Sequence, residues 1–237
     1  MGDIVKAIEK EKEYISYRMK GEEPFHLVDA VNECGFADLT DYFEVKRKYD
    51  FKQMKFEFIE KKPSECIQEV FRMMAAKVTG VLFVDSDSTF VFNGTANYNQ
   101  DYCTKENIPV FPIGTNGGTI VCTDGDFSIG ICFPTSAGLN YADILKAIKD
   151  ILQKHTERIV TVNGNDVLVD KMKVLGSAHY DGNDVFMFVA HLSFSDKAEL
   201  ISNICTTTKI GKDVGSIDFM TRTDFKQGVS EWLKLSI

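Results

Sequence analysis

The chain has 237 residues, 44% of them hydrophobic and 26% charged, which suits one large globular domain or one domain with a small companion. Its formal net charge of −8 excludes a general nucleic-acid binder, which needs a basic face to displace counterions. No apolar run approaches the roughly 20 residues of a membrane span, and residues 1–20 lack the apolar core of a signal peptide, so a cytoplasmic protein with no nucleic-acid or membrane partner is expected.

Helical spacing of Ile4, Val5, Ile8, Tyr14, Ile15 and Met19 predicts a helix over 3–20, ended by Gly21. A second helical segment runs from Pro24 to Gly35. A third covers 36–49, where Lys46, Arg47 and Lys48 read as a solvated helix end. Alternation of Met54, Phe56 and Phe58 predicts a half-buried strand over 51–59. Pro63 opens a helix whose apolar side is Cys66, Ile67, Val70, Phe71, Met74 and Ala75.

From Gly80 the texture changes to strands. Residues 81–84 and 89–92 flank Asp85-Ser86-Asp87-Ser88, which has the length and composition of a hairpin turn. A small-residue loop with Asn93 and Gly94 follows, then a short helix around 98–107 and a strand over 108–112. Residues 113–119 form a glycine-rich loop. It is no Walker motif and opens no helix, which excludes a dinucleotide fold. Such a loop presents N–H groups to phosphate or carboxylate, or is a plain turn. Strands at 120–122 and 127–133 surround the turn Asp124-Gly125.

Residues 139–155 form an amphipathic helix with Ile144, Leu145, Ile148, Ile151 and Leu152 on one face. Residues 164–180 read as strand, tight turn at Asp170–Met172, and strand. The second strand passes from Lys173 to the small run Gly176, Ser177, Ala178, which lets a ligand approach bare backbone. A cation, a carboxylate at Asp166 and exposed backbone suit an anionic ligand; an ordinary hairpin with a solvated lysine fits equally. Residues 184–194 are apolar on both faces and form a central strand, in which His191 reads as a satisfied core or edge histidine. Ser195 reads as the cap of a helix through Ile204, 205–221 are loop-rich, and 223–235 form the last helix. The six cysteines (Cys34, Cys66, Cys103, Cys122, Cys132, Cys205) have no paired spacing, so neither a zinc site nor a disulfide framework is expected.

From about residue 55 onward the chain resembles the lipoate–protein ligase and biotin–protein ligase superfamily, the lipoate branch more closely. The resemblance rests on element order and on two motifs: Gly164-Asn165-Asp166-Val167-Leu168-Val169, and Lys173-Val174-Leu175-Gly176-Ser177-Ala178, which is similar to the family's K-x-S-G-S-A signature. It implies an α+β, class II synthetase-like (biotin/lipoate ligase) fold. That means a mixed, mainly antiparallel sheet flanked by helices over 55–237, with an N-terminal helical extension over 1–54 that has no counterpart.

The resemblance also implies activation of lipoate or a related carboxylic acid with ATP and Mg²⁺ to an acyl-adenylate, and transfer to a lysine of a lipoyl-domain or carrier-protein acceptor. Two anions meet at the α-phosphate, so a cation and a metal must neutralise them. By resemblance Lys173 is the catalytic group and contacts the activated acyl or phosphate group. Asn165, Asp166 and Lys173 hold the nucleotide, and Asp166 the metal. Asn93, Gly94, Asn116, Gly117, Gly118, Gly176, Ser177 and Ala178 contact the substrate, the last three as one wall. The family loop R-R-x-[ST]-G-G-G-x-V-x-H is altered: both arginines are absent at Pro112 and Ile113, Asn116 replaces a glycine and Cys122 the histidine; Leu175 replaces the signature's serine. Each lost arginine contact to phosphate is worth about 1.5–3 kcal/mol. Two alternatives stay open: a non-catalytic binding protein of this fold, and an ATP-independent octanoyl or lipoyl transferase with a cysteine nucleophile such as Cys122 or Cys132.

Overall fold

Asp3 caps the first helix, α1 (Ile4–Met19), accepting the Lys6 N–H at 3.1 Å. With α2 (Leu27–Glu33) and α3 (Leu39–Lys52) it forms a helical unit over residues 1–54, which residues 136–139 join. Its core is Ala7, Val31, Cys34, Phe36 and Tyr42. The computed structural model describes residues 2–94, 96–113, 118–182, 184–206 and 214–235. Helix α3 runs through residues read from the sequence as the start of a strand.

The second unit spans residues 55–135 and 140–233. Its elements are β1 (Glu57–Lys61), α4 (Pro63–Ala75), β2 (Gly80–Asp85), β3 (Phe90–Asn93), α5 (Gln100–Lys105), β4 (Val110–Pro112), β5 (Thr119–Cys122) and β6 (Phe127–Pro134). They continue with α6 (Tyr141–Gln153), β7 (Val160–Asn163), β8 (Asp166–Val169), β9 (Met172–Asp181), β10 (Val185–Leu192), α7 (Ala198–Ile204) and α8 (Arg222–Leu235). A seven-stranded sheet has the order β1-β2-β6-β10-β9-β8-β7, and a three-stranded sheet the order β4-β3-β5. In the large sheet β1 and β2 pair in parallel across α4, and the other pairs are antiparallel. The central strands β2, β6 and β10 are buried on both faces, which explains their largely apolar sequence.

One face of the large sheet carries Phe83 and Phe127 toward Phe225 of α8, with ring centroids 5.5 and 5.8 Å apart. On the opposite face Leu82, Val84, Cys132 and Met187 join a core with Cys66 and Met73 of α4 and with Phe90, Phe92 and Cys122 of the small sheet. This second face is the inner face of the sheet.

The expected hairpin across Asp85–Ser88 does not form. Strands β2 and β3 lie in different sheets, as do β5 and β6 across Asp124-Gly125. The two crossings bind each other instead: Ser86 N–H donates to Asp126 O and Gly125 N–H to Ser86 O, both at 3.0 Å. A polar turn of hairpin length therefore marks a change of sheet. Gly125 holds φ of +91°, which favours glycine at that crossing.

Candidate functional site

Strands β8 and β9 form a two-residue hairpin whose turn residues, Asp170 and Lys171, both have positive φ of 49° and 71°, as the right-handed strand twist demands. Pairing runs Asp166 with Gly176 and Val167 with Leu175, then slips to Leu168 with Lys173. Val174 is the extra residue of a β-bulge. The bulge decides the site. Residues three apart in a regular strand face opposite sides, but here Lys173 and Gly176 share the inner face. A Cβ at Gly176 would lie 3.0 Å from both Cε and Nζ of Lys173 and 3.7 Å from Asp166 Oδ1. The lysine stem lies across bare backbone and its amine meets Asp166 Oδ1 at 2.7 Å, with both groups part-exposed. The lone cation and carboxylate expected here are thus an ion pair.

Ser177 points to the other face. Its N–H and hydroxyl both reach Asn165 O, at 3.0 and 2.7 Å, and its Oγ lies 2.5 Å from the Tyr141 hydroxyl on α6. The wall beside Lys173 is therefore Gly176 and Ala178, because strand alternation takes Ser177 through the sheet. The Tyr141 ring lies tilted against His179, with centroids 4.4 Å apart, a partner that sequence spacing did not signal.

On the small sheet, Asn93 Oδ1 accepts the Thr119 hydroxyl at 2.8 Å and Gly94 N–H donates to Gly118 O at 3.1 Å. These bonds lace the Asn93–Gly94 loop to the end of the glycine loop. A Cβ at Gly118 would meet nothing within 4 Å, so this backbone is open to a ligand. Asn116 and Gly117 lie outside the described residues. The two halves meet where Cys122 Sγ lies 3.6 Å from His191 Nδ1.

His191 belongs to a buried polar cluster. Asp126, Lys197 and His191 are each under 10% exposed. Lys197 Nζ contacts Asp126 Oδ2 at 2.5 Å and His191 Nε2 at 2.8 Å. An ammonium only donates, so Nε2 accepts and the ring proton sits on Nδ1, which donates to Ser128 Oγ at 3.0 Å. Burial, and then the charge of Lys197, lower the His191 pKa to about 4. Burial opposes ionisation of Asp126, but the Lys197 ammonium beside it outweighs that and holds the carboxyl well below the usual range. Asp126 also accepts from Thr123 N–H, Phe194 N–H and Ser195 Oγ at 2.8, 2.9 and 3.1 Å. Ser195 thus serves Asp126, and α7 begins after Lys197. The expectation of a satisfied core histidine matches this geometry. The buried lysine that satisfies it had no sequence signal, since lysines are rarely buried unless paired.

Cys122 and Cys132 are both fully buried. Burial pushes the Cys122 thiol upward and the Cys132 thiol to about 11, so neither is poised as a thiolate. Among the described residues no cluster of three or more His, Cys, Asp or Glu is placed to hold a metal ion. No helix among them is long and apolar enough to cross a membrane.

Solved structures share this fold. The bi-partite lipoate protein ligase structure from Thermoplasma acidophilum superposes with a TM-score of 0.64 at 15% identity, covering 78% of this chain and 84% of that one. P. falciparum LipL1 in complex with lipoate gives 0.65 at 14% identity, covering 77% and 62%. A lipoate-protein ligase A bound with ATP gives 0.60 at 12% identity, covering 77% and 85%. The architecture is that of these lipoate ligases: a mixed, mainly antiparallel sheet flanked by helices. The lipoyl protein ligase A/B catalytic domain matches residues 56–226, and the chain belongs to that family. No curated protein sequence matches it significantly.

Proposed function

We propose that this chain is an acyltransferase of the lipoate-ligase type, which activates lipoate or a related acid with ATP and passes it to an acceptor lysine. The observation that carries this reading is the Lys173–Asp166 pair, at 2.7 Å, laid over Gly176 in a chain matched by the ligase catalytic domain. Similar folds solved with lipoate and with ATP support the kind of ligand.

In the first step a carboxylate oxygen attacks the α-phosphorus, an O–P bond forms and pyrophosphate leaves. In the second the acceptor amine attacks the acyl carbon, the acyl–oxygen bond breaks, AMP leaves and the amine gives its proton to solvent. Lys173 supplies positive charge where two anions approach and holds the activated group against Gly176 and Ala178. Asn165 and Asp166 hold the nucleotide. Mg²⁺ usually takes one or two carboxylates plus substrate phosphates; Asp166 would be the carboxylate that holds it, and the ion would neutralise phosphate charge. Asn93, Gly94 and Gly118 present backbone to the substrate, and the family resemblance assigns Asn116 and Gly117 to the same contact. A lipoyl-domain or carrier-protein lysine is the acceptor, and the setting is the cytoplasm.

A second reading, a binding protein that keeps the fold without activating its ligand, is favoured by the absence of arginine at Pro112 and Ile113. Burial of Cys122 and Cys132 argues against ATP-free transfer through either thiol. Incubation with lipoate, Mg·ATP and a lipoyl domain, followed by mass spectrometry, separates the readings. Ligation yields a lipoylated acceptor and AMP. Adenylate binding without product supports the second reading, and no binding of lipoate, ATP or lipoyl-adenylate contradicts both.

A further inference from the structure

Cross-strand pairing lines up Ala178, Val189 and Gly130 on the inner face, one each from β9, β10 and β6. The neighbouring row holds Gly176 and His191, and the row on the other side holds Tyr180 and Met187. Accessibility falls along the middle row: Ala178 is exposed, Val189 half-buried and Gly130 buried. Central strands of a seven-stranded sheet are normally covered, so an accessible Val189 on β10 marks a groove entering from β9. The mouth lies beside Lys173. Ile113 and Ile120, which flank the glycine loop, are half-buried in the same apolar cluster as Val189. The groove ends at Gly130, where a Cβ would sit 2.9 Å from the Met187 Cε. The methionine methyl takes the space left by the missing side chain. Leu82, 3.5 Å from the same point, closes the far side.

We propose that Met187, leaning over Gly130, sets the length of the acyl chain this protein accepts. This rests on the reading of Lys173 as the group that holds the activated carboxyl. From β9 to β6 is two inter-strand spacings, about 10 Å, which gives a carboxyl held at Lys173 room for a medium-chain tail such as octanoate or lipoate. A palmitate tail would run into Met187. The stop is a flexible thioether end, so its position responds to single substitutions.

The test is isothermal titration of the full chain with acyl-adenylate analogues from hexanoyl to tetradecanoyl, for wild type, Met187→Ala, Met187→Leu and Gly130→Ala. Met187→Leu conserves volume and keeps the core filled even if the alanine variant fails to fold. The expected wild-type optimum is near octanoyl. The alanine and leucine variants shift it to longer chains, with about a tenfold or greater gain for dodecanoyl relative to octanoyl. Gly130→Ala pushes the methyl along the groove and shifts the optimum to shorter chains. If wild type binds the series but the optimum stays fixed in the folded Met187 variants, the inference is overturned while the ligase reading stands. If wild type binds none of the analogues, both fall.

Discussion

At the scale of single residues, the Asp126–Lys197 pair is the most consequential contact outside the proposed site. Its members are almost wholly shielded from water, at 0% and 2% side-chain exposure. Removing one partner leaves a buried charge without compensation, which costs about 3–5 kcal/mol. Lys197→Met is therefore expected to lower stability by about that much in urea unfolding. The double variant Asp126→Asn/Lys197→Met recovers at least half of the loss, because no charge is then stranded. Strictly additive losses would contradict the assignment.

His191 gives a second prediction with a definite sign. It stays neutral in the folded chain down to about pH 4, whereas the unfolded chain protonates it near 6.5. The unfolded state therefore binds more protons between those values. Stability falls as pH drops through that window, by on the order of 3 kcal/mol in total. His191→Asn flattens this part of the pH–stability curve; an unchanged slope in the variant would contradict it. None of this was legible beforehand. A histidine in an apolar run signals only that something must satisfy it, and the lysine that does so follows six residues later, beyond the end of its strand.

At the scale of elements, the β8–β9 hairpin was readable from its composition, and both of its motifs lie where the sequence puts them. What composition hides is the bulge at Val174. Alternation alone sends Lys173 and Gly176 to opposite faces, and pairing across the sheet, which no local pattern encodes, brings them together. The same limit explains Asp85–Ser88. Local residues specify a polar turn, but the choice between hairpin and sheet crossing is made by the remote backbone of Asp126. The Asp170–Lys171 turn supports a simple test. Lys171 holds φ of 71°, a conformation that glycine adopts without the penalty of a side chain. Lys171→Gly should raise stability by about 1 kcal/mol in chemical unfolding, while Asp170→Val should lower it by a similar amount. The reverse order would mean that the turn is not of this type.

At the scale of the whole molecule, the apolar rhythm conveyed most of the second unit. The long buried runs became the central strands β2, β6 and β10, and the amphipathic stretch at 139–155 became α6. Assigning strands to one sheet or two was beyond the rhythm, since β3, β4 and β5 look no different from the strands beside them. The first unit has its own small core around Val31, Phe36 and Tyr42. Its sequence says little beyond helix, because charged helices of this kind serve packing and partners alike.

The proposed function turns on Lys173, which the bulge at Val174 places on the inner face, where it would hold an anionic head group with a short tail. Titration of lipoyl-adenylate into wild type and Lys173→Ala is the most direct measurement. The wild-type chain should bind, and the variant should lose at least a hundredfold in affinity, about 2.7 kcal/mol, while its unfolding free energy stays within about 0.5 kcal/mol of wild type. Equal binding by both chains, or none by the wild type, would contradict it.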